Sequence, residues 1–530
     1  MFYFLITLIP YIMYLILKYR RSFYMLQQNS YNVSNRYGKW IFRNIKKVFL
    51  NYDLFFIILI ILYPYINHNF YMFFMAIFYF GLFYLELKNI KKDQNKKPFA
   101  ITKRIKRLTI TTLLLFGIVL LLIFINFNLD KNLLRYYIYL FVYCYLGYFI
   151  TYLANIINYP VERMVYYYYY YKAVNKLNSM PNLVKIGITG SYGKTTSKNI
   201  LNTILNIKFN SFATKKSLNT PYGLMTSINN DLDKFDDVFI AEMGACKKND
   251  IKELCDLVHP QYGIITKIGL AHLETFKTIE NTISTKFELV EALPRNGVAI
   301  LNKDDPNQRK YHIKNNCKVK WIAIDNDADI RALNIKQSNK GMNFDILLEG
   351  KNYNFETPLL GRANIYNILA GIYLGYYLGI EIKDLQIAVK MLRPTEHRLE
   401  LKKMGDITII DDAFNSNPEG SKMALEVLDL MEGTKVVVTP GMIELGKEEY
   451  NLNRNFGKEI SKVADYVILV GEKQTKPIYD GLISAKFSKD KIIVINDVKK
   501  SFSLIRDFKE KDKELYALLE NDLPDIFNEK

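Results

Sequence analysis

The stretch from Val184 to Leu201 constrains this chain more than any other, because it combines an apolar run, a glycine-containing turn and the start of a helix. The run from Val184 to Ile188 predicts a buried strand, and the residues from Thr196 onward predict a helix. Backbone N–H groups in such a turn, together with the positive end of the helix, form a cradle for anions. The stretch therefore predicts an α/β domain with an anion site at its first strand.

The turn favours a nucleotide as the anion. Lys194 is placed to reach the outer phosphates of ATP, and the Thr195 hydroxyl to hold Mg²⁺. The pattern is the shortened G-x-x-G-K-T, since Ile188 stands where the full phosphate-loop pattern has its first glycine. Alone it could be an ordinary turn, but the strand before it and the helix after it favour ATP. The predicted cradle comprises Gly190, Ser191, Tyr192, Gly193, Lys194, Thr195 and Thr196.

The positive charge of the chain is concentrated in its first third. Of the net charge of +18 on the 530 residues, +17 falls in residues 1–180 and +1 in the remainder. Nearly all of these basic residues lie between apolar runs, a pattern that belongs to membrane topology. We therefore expect no nucleic-acid partner.

Apolar stretches predict a transmembrane domain of about five helices over residues 1–160. They lie near 2–17, 54–66, 69–87, 108–127 and 134–155. The second reaches spanning length only if it begins near Val48. Positive-inside counting assigns the basic loops 18–48 and 88–107 to the cytoplasm. We expect a multi-pass cell-membrane protein with its N-terminus outside and everything after residue 155 inside.

Two points of this topology have alternatives. One is a four-span arrangement in which residues 54–87 form a re-entrant hairpin. The other concerns a juxtamembrane linker at 161–180, where six consecutive tyrosines, Tyr166 to Tyr171, suit the headgroup level of a bilayer. Anchoring is the preferred role of these tyrosines, and a platform for a lipid-linked substrate is the alternative.

After the turn, strands and helices alternate, which predicts a doubly wound, mostly parallel sheet. Glu242 ends an apolar strand, and a carboxylate there lies beside the nucleotide in such folds, so it is a candidate Mg²⁺ ligand. His272 follows another predicted strand and by itself suits a backbone-bonded loop histidine. Lys286, in a predicted helix over 278–293, by itself suits a solvated helix face. Asp304 and its neighbour Asp305 suit either a nucleotide contact or a turn.

Six short motifs in order resemble the Mur ligases, the ATP-dependent amide-forming enzymes of peptidoglycan precursor synthesis. They are Gly-Ile-Thr-Gly-Ser-Tyr-Gly-Lys-Thr-Thr, Ala-Glu-Met-Gly-Ala, Ile-Gly-Leu-Ala-His-Leu-Glu, Thr-Lys-Phe-Glu, Leu-Asn-Lys-Asp-Asp and Gly-Arg-Ala-Asn-Ile-Tyr-Asn. The resemblance covers about residues 181 to 470. It implies a central ATP-binding domain over 181–392 and a Rossmann-like C-terminal domain over 393–530.

Motifs of the C-terminal domain narrow the resemblance. Asp-Asp-Ala-Phe-Asn415-Ser-Asn-Pro and Met-Ile-Glu444-Leu-Gly are similar to those of the family members that add D-Ala-D-Ala to a UDP-MurNAc-tripeptide. Strands are predicted at 407–411, 435–439, 466–470 and 492–495, and residues 500–530 are predicted to be helical with a tail.

The resemblance also implies roles for individual residues. Lys194, Lys286 and His272 would be catalytic. Two Mg²⁺ ions would be held, one by Thr195 and Glu242 and the other with help from His272 and from Lys286, the lysine that family members carbamylate with CO₂. Asn364 and Asn367 would contact adenine, and Arg398 and Asp412 would meet ATP on domain closure.

The predicted membrane domain departs from the family, whose soluble members begin with a domain that binds the UDP-muramyl group. The acceptor could therefore be a UDP-linked or a lipid-linked muramyl peptide, and the amine an amino acid or D-Ala-D-Ala. Two other functions stay open: a poly-γ-glutamate synthase-like ligase with a polymeric acceptor, and an ATP-gated transporter or sensor.

Overall fold

The protein is described by a computed structural model in which two compact units are resolved along the chain, a helical unit up to Tyr167 and an α/β unit from Tyr168 onward. The structure describes residues 2–92, 98–125, 129–269, 273–414, 417–443, 445–510 and 513–521.

The N-terminal unit is built from helices alone within its described residues. They are α1 (Phe2–Gln28), α2 (Gly38–Arg43), α3 (Ile45–Phe49), α4 (Phe56–Leu62), α5 (His68–Lys92), α6 (Lys103–Ile125), α7 (Leu129–Tyr145), α8 (Gly147–Ile157) and α9 (Tyr159–Asn178), which continues into the second unit. Their core is rich in buried tyrosine, and Tyr11 donates its hydroxyl to the carbonyl of Leu140 at 2.8 Å. Buried hydroxyls thus find backbone acceptors across the bundle.

Two helices, α5 and α6, are long and apolar enough to cross a bilayer. Within the described part of the chain, the pair α7 and α8, bent by 69° at their junction, would add a third if it is one broken span. Both α5 and α6 expose large apolar side chains, among them Phe73 at 59% and Leu114 at 67%. Such outward apolar faces are typical of helices that contact lipid.

The second of the five predicted spans is not a continuous helix. Its sequence is divided between α3, a short 3₁₀ turn and α4, which has seven residues. The side chain of Asn51 accepts a hydrogen bond from the N–H of Asp53 at 3.0 Å and so starts a new turn there. A helix break at polar residues thus lies within this predicted span, and the number of spans stays a prediction.

The second unit begins with a nine-stranded sheet. Its elements are β1 (Val184–Thr189), α10 (Lys194–Leu205), β2 (Ser211–Ala213), α11 (Pro221–Asn230), β3 (Val238–Glu242), α12 (Asp250–Val258), β4 (Tyr262–Ile265), α13 (Leu273–Phe276), α14 (Ile279–Glu291), β5 (Val298–Asn302), α15 (Pro306–Arg309), β6 (Lys318–Ala323), β7 (Ile330–Ser338), β8 (Gly341–Leu348), β9 (Lys351–Thr357), α16 (Ala363–Tyr377) and α17 (Ile382–Lys390).

The strand order is β2-β3-β1-β4-β5-β6-β7-β8-β9, parallel from β2 to β7 and antiparallel from β7 to β9. The predicted doubly wound sheet is confirmed for its parallel part, and the antiparallel extension β7–β9 was not predicted. Because β1 lies between β3 and β4, the carboxyl ends of these three strands meet at one edge of the sheet. A parallel α/β sheet binds its ligands at that edge.

A six-stranded sheet follows. Its elements are β10 (Glu400–Met404), β11 (Ile407–Asp412), α18 (Pro418–Asp429), β12 (Thr434–Thr439), α19 (Glu449–Ile460), β13 (Tyr466–Val470), α20 (Glu472–Ser484), β14 (Ile492–Ile495), α21 (Ser501–Asp507) and β15 (Leu515–Glu520). The order is β10-β11-β15-β12-β13-β14, with only β10 antiparallel among the described pairs.

The helical prediction for residues 500–530 is wrong where β15 forms. This strand is inserted between β11 and β12 in the middle of the sheet, and Leu515, Ala517 and Leu518 are fully buried. Its apolar run is short and lies among charged residues, so the composition of the segment resembles a surface helix. Burial on both faces in the sheet overrides that local preference.

We expect a single methyl group to disrupt the packing of α19 on α20. A Cβ on Gly457 would lie 2.2 Å from the carbonyl oxygen of Ile478. Gly457→Ala should therefore lower the free energy of unfolding by about 1–3 kcal/mol, although alanine favours an isolated helix by about 1 kcal/mol.

The free energy of unfolding is measured by chemical denaturation of the full chain, with limited proteolysis reporting the unfolding of the C-terminal domain. Asn455→Ala, at an exposed position of the same helix, is the control and should shift stability by less than about 0.5 kcal/mol. Equal stability of the two variants would show that the helices do not pack this closely.

Candidate functional site

The loop between β1 and α10 has a backbone that requires its glycines. Gly190 has φ +153° and Gly193 has φ +78°. A Cβ on Gly190 would lie 1.9 Å from the Oγ1 of Thr266, so no side chain fits there. The loop ends at the amino terminus of α10, where the N–H groups of Lys194, Thr195 and Thr196 have no partner within the helix. A helix terminus of this kind can bind an anion.

Two backbone N–H groups of the predicted cradle already donate hydrogen bonds within the protein. The N–H groups of Ser191 and Tyr192 donate to the carbonyl of Lys267 at 2.8 Å and 3.3 Å. The Nζ of Lys194 donates to the carbonyls of Gly190 at 2.8 Å and Ser191 at 3.3 Å. The lysine is therefore folded back over its own loop, and burial lowers its pKa.

The carboxylate of Glu242 ends β3 beside this loop and is 1% exposed. Its Oε1 and Oε2 accept from the Thr195 hydroxyl at 3.1 Å and 3.0 Å, and its Oε1 also accepts from the Nδ2 of Asn219 at 3.0 Å. The Nζ of Lys198 lies 3.2 Å from its Oε2. Thr195 and Glu242 were predicted from the sequence, whereas Asn219 and Lys198 were not. The signal for Lys198 was its position one helical turn after Lys194, on the same side of α10.

The side chain of Lys286 is buried, so the interpretation of this lysine as a solvated helix face is wrong. It projects from α14 into a cavity that Lys194, Asn219 and Asp250 also line. Burial, followed by the charge of Lys194, lowers the pKa of Lys286 to about 7. A substantial fraction of this amine is therefore neutral near neutral pH. His272 lies outside the described residues.

A second cavity lies where the central domain meets the C-terminal domain. It is bounded by the loop residues Tyr192 and Gly193 and by Asn364 and Asn367 of α16. Apolar side chains, including Ile264, form part of its wall. A flat apolar wall beside amide groups suits an aromatic heterocycle such as a nucleobase. The Nδ2 of Asn364 donates to the carbonyl of Leu360 at 2.7 Å, and its side-chain oxygen accepts from the Nδ2 of Asn367 at 3.4 Å.

Arg398 and Asp412 bring opposite charges to this second cavity. Burial raises the pKa of Asp412 to about 6, although Arg398 and the N–H of Leu399, which donates at 3.2 Å, act in the other direction. The guanidinium carbon of Arg398 lies 4.6 Å from the ring centre of Phe414. Glu520 of β15 lines the same cavity. Sequence analysis missed it because the strand itself was not predicted.

The paired acids Asp304 and Asp305 have structural roles. Asp304 accepts hydrogen bonds from the N–H groups of three successive residues, 324 to 326, at 2.6 to 2.9 Å. Asp305 caps α15 and accepts from the N–H of Ile268 at 2.9 Å. These bonds favour the turn over the nucleotide contact. The motif residues Asn415 and Glu444 lie outside the described part of the chain.

A third cavity joins the loop to the domain boundary. Lys194 and Thr195 line it together with Glu242, and Arg398 and Phe414 close it from the C-terminal domain. The structure thus brings every described residue predicted for the site to one of three cavities that all include loop residues. A glycine-containing loop at a helix amino terminus, a carboxylate–hydroxyl pair and a lysine recur in sites of phosphoryl transfer.

Comparison with known proteins agrees with this chemistry. A family model for the Mur ligase middle domain matches residues 188–375, and one for the Mur ligase glutamate ligase domain matches residues 397–515. UDP-N-acetylmuramoyl-tripeptide–D-alanyl-D-alanine ligase from Bacillus subtilis is 31% identical over 279 residues, which cover 52% of this chain and 60% of the relative. The same enzyme from Buchnera aphidicola (subspecies Baizongia pistaciae) is 30% identical over 316 residues, 57% of this chain and 68% of the relative.

A solved structure is similar as well. The MurF ligase of Thermotoga maritima in complex with ADP matches with a TM-score of 0.60 at 26% identity, covering 68% of this chain and 81% of that chain. The chain thus spans about 60% of the Bacillus relative and about two thirds of the Buchnera relative.

Proposed function

The chain belongs to the Mur ligase family, and on that premise we propose that it is an ATP-dependent, ADP-forming ligase that joins D-Ala-D-Ala to a UDP-MurNAc-tripeptide. One observation carries the proposal. The phosphate loop shares one cavity with Glu242 and another with Lys286, so the groups that bind phosphate and those that meet an acceptor carboxylate surround a single lysine, Lys194.

The residues present fit a magnesium nucleotide. Thr195 and Glu242 place a hydroxyl and a carboxylate within 3.1 Å of each other, and oxygen atoms of these two kinds are the ligands that Mg²⁺ prefers. The amino terminus of α10 would bind the phosphates, and Asn364 and Asn367 would face the base. ATP would supply the phosphoryl group that makes the acceptor carboxylate reactive toward an amine.

Lys194 has the central electrostatic role in this reaction. Its ammonium group now bonds two loop carbonyls, and the same side chain can turn toward phosphate oxygens without leaving the cavity. There it would stabilise the negative charge that develops on the transferred group. Arg398 reaches the loop from the C-terminal domain, so closure of that domain would add a second positive charge.

Lys286 suits the carbamate that the family resemblance implies. CO₂ reacts only with a neutral amine, and a pKa of about 7 leaves much of this lysine neutral at neutral pH. The product would be an anionic oxygen ligand in place of a buried cation, and it would remove the repulsion between Lys286 and Lys194. We propose that this carbamate and His272 together would hold a second Mg²⁺.

We place the ligase at the cytoplasmic face of the cell membrane, held there by the N-terminal unit. The support is the pair of apolar helices α5 and α6, their exposed apolar faces, and the basic segments at 18–48 and 88–107. A ligase anchored in this way could take a lipid-linked muramyl peptide in place of the UDP-linked one.

The experiment that tests the proposed function measures ADP release by the full chain in detergent. We expect release only when Mg²⁺, a muramyl-tripeptide acceptor and D-Ala-D-Ala are all present, with UDP-linked and lipid-linked acceptors assayed side by side. Phosphate release that ignores both acceptor and amine would contradict a ligase and favour the ATP-gated transporter.

Lys194→Ala should lower ADP formation by at least about a hundredfold, because it removes a charge that stabilises the transition state. Lys215→Ala is the control: this lysine is exposed and pairs only with Asp231 among the ion pairs described, so activity should stay near that of the parent. Both variants should remain in the membrane pellet after an alkaline carbonate wash. Full activity in Lys194→Ala would contradict the proposal that this loop binds the phosphates of ATP.

Lys286→Ala should also be impaired, and added short-chain carboxylic acids should restore part of its activity by replacing the carbamate. In the parent, activity should rise with pH through about 7, since the neutral amine is the form that reacts with CO₂. The measurement is ADP release against pH with and without bicarbonate. Parent-like activity in Lys286→Ala would contradict the proposal that a carbamate on Lys286 is needed for the reaction.

A further inference from the structure

A polar cavity lies within the N-terminal helical unit and takes no part in the reaction proposed above. Its charged lining residues are Lys18, Arg21, Lys47, Asp53 and Glu86. They come from α1, α3, the turn before α4, and α5, so four segments distant in sequence place ionisable groups around one space. Ionisable groups inside an apolar helical bundle are costly and mark functional sites by default.

The interior of this cavity contains a buried ion pair. The Nζ of Lys18 lies 2.5 Å from the Oδ2 of Asp53, and their side chains are 5% and 3% exposed. The hydroxyl of Tyr14 donates to the other oxygen of Asp53 at 2.6 Å. Stability alone is a weak reason for these charges, because apolar residues of similar volume often stabilise a fold as well as a buried ion pair does.

The lining carries one more positive than negative charge. Arg21 lies 3.1 Å from Glu86, and Lys18 is matched by Asp53, so Lys47 at the exposed margin supplies the excess. Lys18 and Arg21 are held in place by carboxylates, and no ion pair of Lys47 is found among the described residues. Such a set of cationic groups suits a phosphate, which accepts several charge-assisted hydrogen bonds at once.

The margin of the cavity is apolar and exposed. Leu50 is 67% exposed, Tyr52 57% and Leu85 36%, and all three line the cavity. A charged interior with an apolar rim matches a molecule that has a polar head and a hydrocarbon tail.

The cavity also lies at a defined level of the unit. Lys18, Arg21 and Lys47 belong to the basic segment 18–48, and Glu86 of α5 precedes the basic segment 88–107. Positive-inside counting assigns both segments to the cytoplasm. The membrane insertion proposed above therefore places the cavity at the headgroup level of the cytoplasmic leaflet.

We propose that this cavity binds the phosphate-bearing headgroup of a lipid from the cytoplasmic leaflet, with Lys18, Arg21 and Lys47 facing the phosphate and Leu50, Tyr52 and Leu85 contacting the first part of the tail. The proposal rests on membrane insertion and not on the ligase reaction, so binding is measured without nucleotide or acceptor.

Native mass spectrometry of the purified full chain in a non-ionic detergent tests it. The probes are lysophosphatidic acid, a monoacylglycerol with the same acyl chain, and inorganic phosphate as competitor. We expect lysophosphatidic acid to bind, the monoacylglycerol to bind at least about tenfold more weakly, and inorganic phosphate not to displace the lipid. Equal binding of the two lipids would overturn the phosphate recognition, and displacement by inorganic phosphate would show a site for the free ion.

Two neighbouring lysines provide a matched pair of variants. Lys47→Gln should weaken lysophosphatidic acid binding about fivefold, whereas Lys46→Gln, which is also exposed but does not line the cavity, should leave it unchanged. Equal effects of the two substitutions would show that the lipid binds through general surface charge, which would contradict the proposal.

A double variant removes the interior charges together. Lys18→Met with Asp53→Leu leaves no unpaired buried charge, so the fold should be kept while lipid binding falls by more than about tenfold. Parent-like binding with a parent-like melting temperature would overturn the role of the interior pair. If the double variant does not fold, the comparison of Lys47→Gln with Lys46→Gln decides.

Discussion

The carboxylate of Glu242 is the group on which the proposed active site depends. A buried carboxylate is stable only when other groups compensate its charge, and here a hydroxyl, an amide and an ammonium group do so within 3.2 Å. Through Thr195 and Lys198 these contacts join the end of β3 to the first turns of α10. Asn219 joins the same strand to the loop before α11. The position of the phosphate loop relative to the sheet is therefore fixed before any ligand binds, which is the condition for electrostatic catalysis.

The parts of this site that sequence could predict are those that local chemistry determines. Gly190 and Gly193 were predictable because the loop backbone excludes a Cβ at the first and needs positive φ at both. Lys286 was different. Its helix gave no sign of burial, and only the family resemblance placed it at the site. Glu520 could not be predicted at all, since its strand is held between two others by contacts distant in sequence.

The same distinction holds for the N-terminal helical unit. Length and apolarity predicted α5 and α6, because each is one uninterrupted run. They did not predict the break at Asn51, where a polar side chain starts a new turn inside an apolar stretch. Nor did they predict that Asp53 would pair with Lys18, a contact between segments 35 residues apart. The buried ion pair depends on a contact that only the fold brings about.

The role of Glu242 is tested most directly by the affinity for Mn²⁺, used in place of Mg²⁺ and measured by electron paramagnetic resonance in the presence of ADP. The parent chain should hold Mn²⁺ together with the nucleotide. Glu242→Gln, which keeps the shape and the hydrogen-bonding oxygen but removes the charge, should weaken that Mn²⁺ binding by at least about tenfold. Parent-like Mn²⁺ affinity in Glu242→Gln would contradict the central claim that this carboxylate and Thr195 together hold the metal of the nucleotide.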